Sequence, residues 1–196
     1  MSMNTPNKLT IARIIATPVF MATLLIEFPY HFTVSMFLFI AASLTDMIDG
    51  KMARKHDLIT DFGKFLDPLA DKMLTTAAFL GFIAMGGVCW QITWIVFIVL
   101  FREFLISSLR LVTVSSGGKV VAANIWGKLK TVTQMVGIIL VLFAYVVMED
   151  FGINNDILTT AFYVLNSIVL WISAVLCVIS GAIYLVACKE YIDPSK

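Results

Sequence analysis

Charge is what this sequence has least of. Only 14% of its 196 residues are Asp, Glu, Lys or Arg, where a soluble domain carries about 25%. With 60% apolar residues and a mean hydropathy of +0.93, an ordinary soluble fold is excluded. The net charge is +1, so bulk attraction to a polyanion is absent. There is no basic run and no interleaved aromatic platform, which removes nucleic acid as a partner. Cysteine is thin as well. Cys89, Cys177 and Cys188 are scattered, odd in number and never spaced C-x-x-C, so they are expected to pack as small apolar residues and not to form a disulfide framework. Low-complexity linkers, internal repeats and a long soluble tail are missing, so residues 1–196 are expected to form a single transmembrane domain. The first apolar run also lacks a clear small-x-small cleavage site. It is expected to be a retained helix, with Thr5 as its cap and Pro6 at its first position.

What the chain does have is apolar length. Long runs extend over Ile14–Ile26, Phe32–Leu44, Met73–Gly86, Ile92–Phe101, Val132–Met148 and Ile157–Ala187. A spanning helix needs about 20 mostly apolar residues, and each run reaches that length once polar flanks are added. The expected fold is an all-α integral membrane protein with six transmembrane helices over 8–28, 31–55, 62–86, 90–115, 122–148 and 156–188. Lys and Arg occur at Lys8 and Arg13, between Lys51 and Lys72, from Arg102 to Lys130, and at Lys189 and Lys196; the connections near Pro29, Gly87 and Asn154 have none. The positive-inside rule then predicts both termini on the cytoplasmic side.

One stretch breaks the apolar pattern. "TDMIDGKMARKHDLITDFGKFLDPLADK", Thr45 to Lys72, carries six acids. Asp57 and Asp61 are read as loop charges. Asp46 and Asp49 are three apart, and Asp67 and Asp71 four apart, so each pair lies on one face of a helix. If the second and third spans pack as an antiparallel hairpin, those faces meet. Carboxylates close to a bilayer are costly, and four together repel. Divalent cations relieve both problems, and a set of hard oxygens without His or Cys suits Mg²⁺, Mn²⁺ or Ca²⁺ and argues against zinc. Gly50 allows close approach of a ligand or backbone; Gly63 plays a similar part, or serves simple helix packing or a turn. Arg54 can face phosphate in a fork, or anchor the helix at the interface. Two metals, an arginine and close-approach glycines suggest a pyrophosphate held for in-line displacement.

Written out, the stretch reads Asp46-x-x-Asp49-Gly50-x-x-Ala53-Arg54, eight residues, then Gly63-x-x-x-Asp67-x-x-x-Asp71. This resembles the signature of the CDP-alcohol phosphatidyltransferases, with every position filled. The resemblance runs the length of the chain and implies six transmembrane helices, usually in a homodimer. It also implies a reaction in which a CDP-activated lipid loses CMP as an alcohol attacks its β-phosphorus. By that resemblance Asp46, Asp49 and Asp67 hold two Mg²⁺ or Mn²⁺ ions, and Asp71 is a further metal ligand or the catalytic base. Gly50, Ala53, Arg54 and Gly63 would bind the CDP-lipid.

The acceptor pocket lies outside that signature. "FREFLISSLR" carries Arg102 and Arg110, and "GKLKT" carries Lys128 and Lys130. Together they suit an anionic acceptor. The competing readings are pairing of Arg102 with Glu103 for structure, and interfacial anchoring by Lys128 and Lys130. In the first span Asn7, Thr10 and Arg13 are spaced three apart and could close the site, Asn7 and Thr10 towards the CDP-lipid and Arg13 towards the acceptor phosphate; the competing reading is a capped, anchored juxtamembrane turn. "NKLTIARI", "REFLISSLR" and "GKLKT" resemble the bacterial phosphatidylglycerophosphate synthases within the family. This implies CDP-diacylglycerol and glycerol 3-phosphate as substrates, membrane lipids as surroundings, and a bacterial cytoplasmic membrane with the site facing the cytoplasm. Inositol phosphate and phosphatidylglycerol are the rival acceptors. A cation transporter is the alternative from another class, but its carboxylates would sit at the midplane in two matching halves.

Overall fold

The computed structural model describes residues 5–55, 61–86, 88–115, 125–153 and 155–189, with side chains at 5–6, 46–55, 61–65, 67–68 and 71 outside the described set. Among these residues there are six α-helices and no strand: α1 (Thr5–Leu25), α2 (His31–Lys55), α3 (Asp61–Met85), α4 (Ile92–Ser115), α5 (Ile125–Tyr145) and α6 (Asp156–Ala187). They follow the predicted spans to within a few residues, because a backbone surrounded by lipid satisfies its own hydrogen bonds only by closing into helices. The addition is a π-helical turn, Val146–Asp150, that prolongs α5. By length and composition Asn7–Leu25, Ile125–Asp150 and Asp156–Ala187 can each cross a membrane, and the apolar parts of α2 and α3, His31–Thr45 and Lys72–Met85, are shorter. The chain is an all-α, multi-pass membrane protein.

Its interior is mainly apolar, and its surface is apolar as well. Large apolar side chains such as Trp90, Phe104, Leu111, Ile157 and Val186 are exposed, while Asn7, Thr10, Arg13, Gln134, Asn166 and Ser173 are buried. Such a surface is stable where the surroundings are hydrocarbon, since burial in lipid costs an apolar side chain nothing. The three cysteines are buried and free, as expected. Burial pushes the Cys89 thiol, in the connection before α4, above its ordinary range, which suppresses its thiolate.

The chain forms two compact units. The first holds residues 1–88 and 138–162, the second 89–137 and 163–196, so α5 and α6 each contribute to both. In the first unit α1 packs along both α2 and α3, while α2 and α3 touch each other only slightly among the described residues. The hairpin of spans two and three expected from the sequence therefore has α1 as its shared neighbour. Phe20 of α1 meets Phe39 of α2 with ring centroids 5.6 Å apart. Gly81 of α3 lies so close to α1 that a Cβ there would overlap Leu24 Cδ2. Pro18 interrupts the ladder of α1 without ending it. Asp150, at the end of the π turn, accepts hydrogen bonds from the Thr33 N–H at 2.6 Å and the Thr33 hydroxyl at 2.7 Å. It thereby caps the first turn of α2, where backbone donors lack helical partners.

In the second unit Ile95, Val96 and Val99 of α4 and Leu170, Ala174 and Cys177 of α6 are buried apolar residues. At one end Ile106 and Leu109 pack with Tyr184 and Cys188. Gly137 of α5 brings that helix against Leu170, whose Cδ2 would be 3.0 Å from an added Cβ.

Candidate active site

Helix α2 is continuous through Asp46, Asp49, Gly50, Ala53 and Arg54, and α3 through Gly63, Asp67 and Asp71. The helical spacing on which the sequence argument depends is therefore present in the backbone. Asp46 and Asp49 lie nine and six residues before the end of α2, and Asp67 and Asp71 six and ten residues after the start of α3. At about 1.5 Å per residue both pairs lie roughly 9–15 Å in from those helix ends. The side chains of these eight residues fall outside the described set. Four carboxylates without nitrogen or sulfur donors, paired at helical spacing, fit a hard divalent cation. Among the described residues no group of three or more His, Cys, Asp or Glu side chains could hold a metal.

Helix α1 supplies what the signature does not include. Its buried stripe runs Asn7, Thr10, Arg13, Thr17, Phe20 and Leu24, repeating every three or four residues as a single helix face must. The stripe is polar in its first half and apolar in its second. Thr10 is 2% exposed and Arg13 only 4%, and none of Asn7, Thr10 and Arg13 is without a partner. A guanidinium buried this fully is tolerated only where anions or acceptors compensate it. Three buried polar side chains of the first unit, Asn7, Thr10 and Arg13, thus lie on α1, the helix that packs along both carboxylate-bearing helices.

The second unit holds the remaining cations, and it separates them. Arg110 and Lys128 are exposed and make no ion pair among the described residues. Arg102 and Lys130 are drawn together by Glu103. The Arg102 Nη1 donates to Glu103 Oε1 at 3.0 Å, and Lys130 Nζ donates to the same oxygen. The Arg102 Nε donates to Ser180 Oγ at 3.2 Å. Lys130 is 6% exposed. The pairing of Arg102 with Glu103, set out above as the competing reading for Arg102, is present. Its extension to Lys130 on α5 and Ser180 on α6 was missed by the sequence reasoning. The signal available was an acid directly beside an arginine in the middle of an apolar helix.

The CDP-alcohol phosphatidyltransferase family model matches residues 3–179. The chain is 39% identical over 192 residues, 96% of its length and 97% of the relative's, to the CDP-diacylglycerol–glycerol-3-phosphate 3-phosphatidyltransferase of Rickettsia bellii (strain RML369-C). A Bacillus subtilis (strain 168) protein of the same name is 42% identical over 147 residues, covering 69% of this chain and 74% of its own. A probable phosphatidylglycerophosphate synthase of Mycobacterium tuberculosis (strain ATCC 25618 / H37Rv) is 37% identical over 138 residues, 69% of this chain and 64% of its own.

Proposed function

Since the chain belongs to the CDP-alcohol phosphatidyltransferase family, we propose that it transfers the phosphatidyl group of CDP-diacylglycerol to sn-glycerol 3-phosphate. The products are phosphatidylglycerophosphate and CMP. The observation that carries this reading is the complete signature, Asp46 to Asp71, set at helical spacing on α2 and α3. Likeness over nearly the whole chain to an enzyme named for this transfer supports the choice of acceptor.

In the proposed reaction a hydroxyl oxygen of glycerol 3-phosphate forms a bond to the β-phosphorus of the CDP-lipid. The phosphorus–oxygen bond to CMP breaks, and the hydroxyl proton passes to a base. Asp46, Asp49 and Asp67, with Asp71 as a further ligand or as that base, would hold two Mg²⁺ or Mn²⁺ ions. Those ions would supply charge neutralisation at the pyrophosphate. Arg54 meets the CDP phosphates, and Gly50, Ala53 and Gly63 leave room for the nucleotide. Asn7 and Thr10 add polar contacts to the CDP-lipid from the buried face of α1. Arg13, Arg102, Arg110, Lys128 and Lys130 serve the acceptor phosphate. Residues 1–196 act as one catalytic domain with six membrane-crossing helices, assembled as a homodimer in a bacterial cytoplasmic membrane. Both termini and the site face the cytoplasm.

Purified protein supplied with CDP-diacylglycerol, Mg²⁺ or Mn²⁺ and a panel of alcohols tests this, with lipid products identified by mass. Release of CMP with glycerol 3-phosphate, and poor use of glycerol, is expected. Equal use of the two overturns the acceptor assignment. Preference for inositol phosphate or phosphatidylglycerol moves the chain to another branch of the family.

A further inference from the structure

Arg102 and Glu103 are neighbours in the middle of α4, where an apolar helix would ordinarily carry neither. Their side chains are only 15% and 18% exposed. A single carboxylate oxygen, Glu103 Oε1, collects a cation from α4 and a second from α5. The guanidinium is held a second time, through Nε, by Ser180 of α6. Gly181, the next residue, lets the arginine stem lie against α6, since a Cβ there would sit 3.4 Å from Arg102 Cγ. Residues of three helices are thus linked through Arg102 and Glu103.

We propose that Glu103 is a positioning residue for the acceptor phosphate, a role that rests on the assignment of Arg102 and Lys130 to that phosphate. Donor arithmetic supports a template over a competitor. A guanidinium has five N–H donors and an ammonium three. Among the described residues Arg102 gives one to Ser180 and one to Glu103, and Lys130 gives one to Glu103. Three donors on the arginine and two on the lysine stay open to phosphate. Among the described residues the acid holds two cations, which a phosphate can also engage. Without Glu103, two long side chains would have to be gathered by the substrate itself, at a cost in rotamer freedom for each. With it, they are ordered before the acceptor arrives.

The test varies glycerol 3-phosphate and CDP-diacylglycerol separately with the purified full-length enzyme. Glu103→Gln keeps the size of the side chain and removes the charge. It is expected to raise KM for glycerol 3-phosphate at least about tenfold while KM for CDP-diacylglycerol changes by less than about twofold. Combined with Lys130→Ala, it should cost less than the sum of the two single effects, because part of the acid's action passes through that lysine. Three results overturn the proposal: an unchanged acceptor KM in Glu103→Gln, an equal rise for both substrates, or full additivity in the double variant. Should Glu103→Gln not accumulate, Glu103→Asp asks the same question with a carboxylate one methylene shorter. It must raise the acceptor KM selectively, and an unchanged value overturns the positioning role. If Lys130→Ala itself leaves the acceptor KM untouched, the acceptor assignment beneath the proposal fails. If Lys130→Ala raises it and Glu103→Gln does not, only the positioning role fails.

Discussion

Asp46, Asp49, Asp67 and Asp71 are the residues whose individual chemistry is most sharply defined. Asparagine in place of any of the first three keeps the size and removes the charge that would attract a cation. Asp46→Asn, Asp49→Asn and Asp67→Asn should therefore each lower CMP release on the order of 10²–10³-fold or more, a loss typical of removing transition-state charge stabilisation, while the protein still inserts and purifies. Chelator should abolish wild-type activity, and added Mg²⁺ or Mn²⁺ should restore it; full turnover in excess chelator would sink the metal assignment. Asp71→Asn separates its two roles. A base leaves metal affinity unchanged when removed, whereas a ligand weakens it, and metal titration with CMP release reads the difference. Wild-type turnover by Asp71→Asn excludes both. Arg13 belongs to the same scale. Its place in a buried polar stripe with Asn7 and Thr10 was legible as a three-residue spacing, but its burial was not, because spacing defines a helix face and not what that face meets. Glu103 was legible only as a partner for Arg102; the contact to Lys130 spans 27 positions of the chain.

Elements were far more readable, and for a physical reason. A membrane imposes a length of about 20 apolar residues on anything that crosses it, so runs such as Val132–Met148 announce helices directly. Hydropathy is one-dimensional, however, and could not reveal that α1 packs along both α2 and α3. Nor could it reveal the π turn at Val146–Asp150, whose composition continues that of α5. That turn has a measurable task. It delivers the Asp150 carboxylate to the Thr33 N–H and hydroxyl, where a negative group also complements the helix dipole of α2. Asp150→Ala leaves those donors without this partner and should cost about 1–2 kcal/mol of stability. The expected result is a lower unfolding temperature in detergent with unchanged specific activity of the folded fraction. An unaltered unfolding temperature would mean that the cap contributes nothing. Gly81 offers a second probe of packing. Gly81→Val forces the buried Leu24 side chain to yield, and overpacking of that kind typically costs about 1–3 kcal/mol. The same unfolding measurement should register it.

For the whole molecule, the distribution of charge predicts orientation. The connections Ile26–Tyr30, Gly86–Gln91 and Phe151–Asn155 contain no Lys or Arg, and acids stand at or beside two of them, Glu27 and the group Glu149, Asp150 and Asp156. The opposite helix ends carry Lys8, Arg54 and Lys55, and Lys119 falls between α4 and α5 in the sequence. Basic residues in short connections are retained on the cytoplasmic side during insertion, so the ends of α2 and α3 nearer Asp49 and Asp67 are expected to face the cytoplasm. The proposed chemistry predicts the same arrangement. Glycerol 3-phosphate and CMP are charged and do not pass the hydrocarbon layer, so a site using them must open where they are dissolved. Replacing Cys89, Cys177 and Cys188 by serine removes the native thiols, after which single cysteines can report each side. Ile153→Cys, at an exposed position in the last of these connections, should react in intact cells with a maleimide that cannot cross membranes. His56→Cys, between α2 and α3, should react only after the membrane is permeabilised. The reverse pattern would invert the topology and would place the carboxylate-bearing helix ends away from both the acceptor and the released nucleotide. Labelling of both from outside would mean that the reagent had entered, and a cysteine placed in a cytoplasmic reporter protein identifies that case. With the expected pattern, the apolar helices, the basic connections and the paired carboxylates express one constraint: a lipid substrate that stays in the bilayer and water-soluble partners that reach it from the cytoplasm.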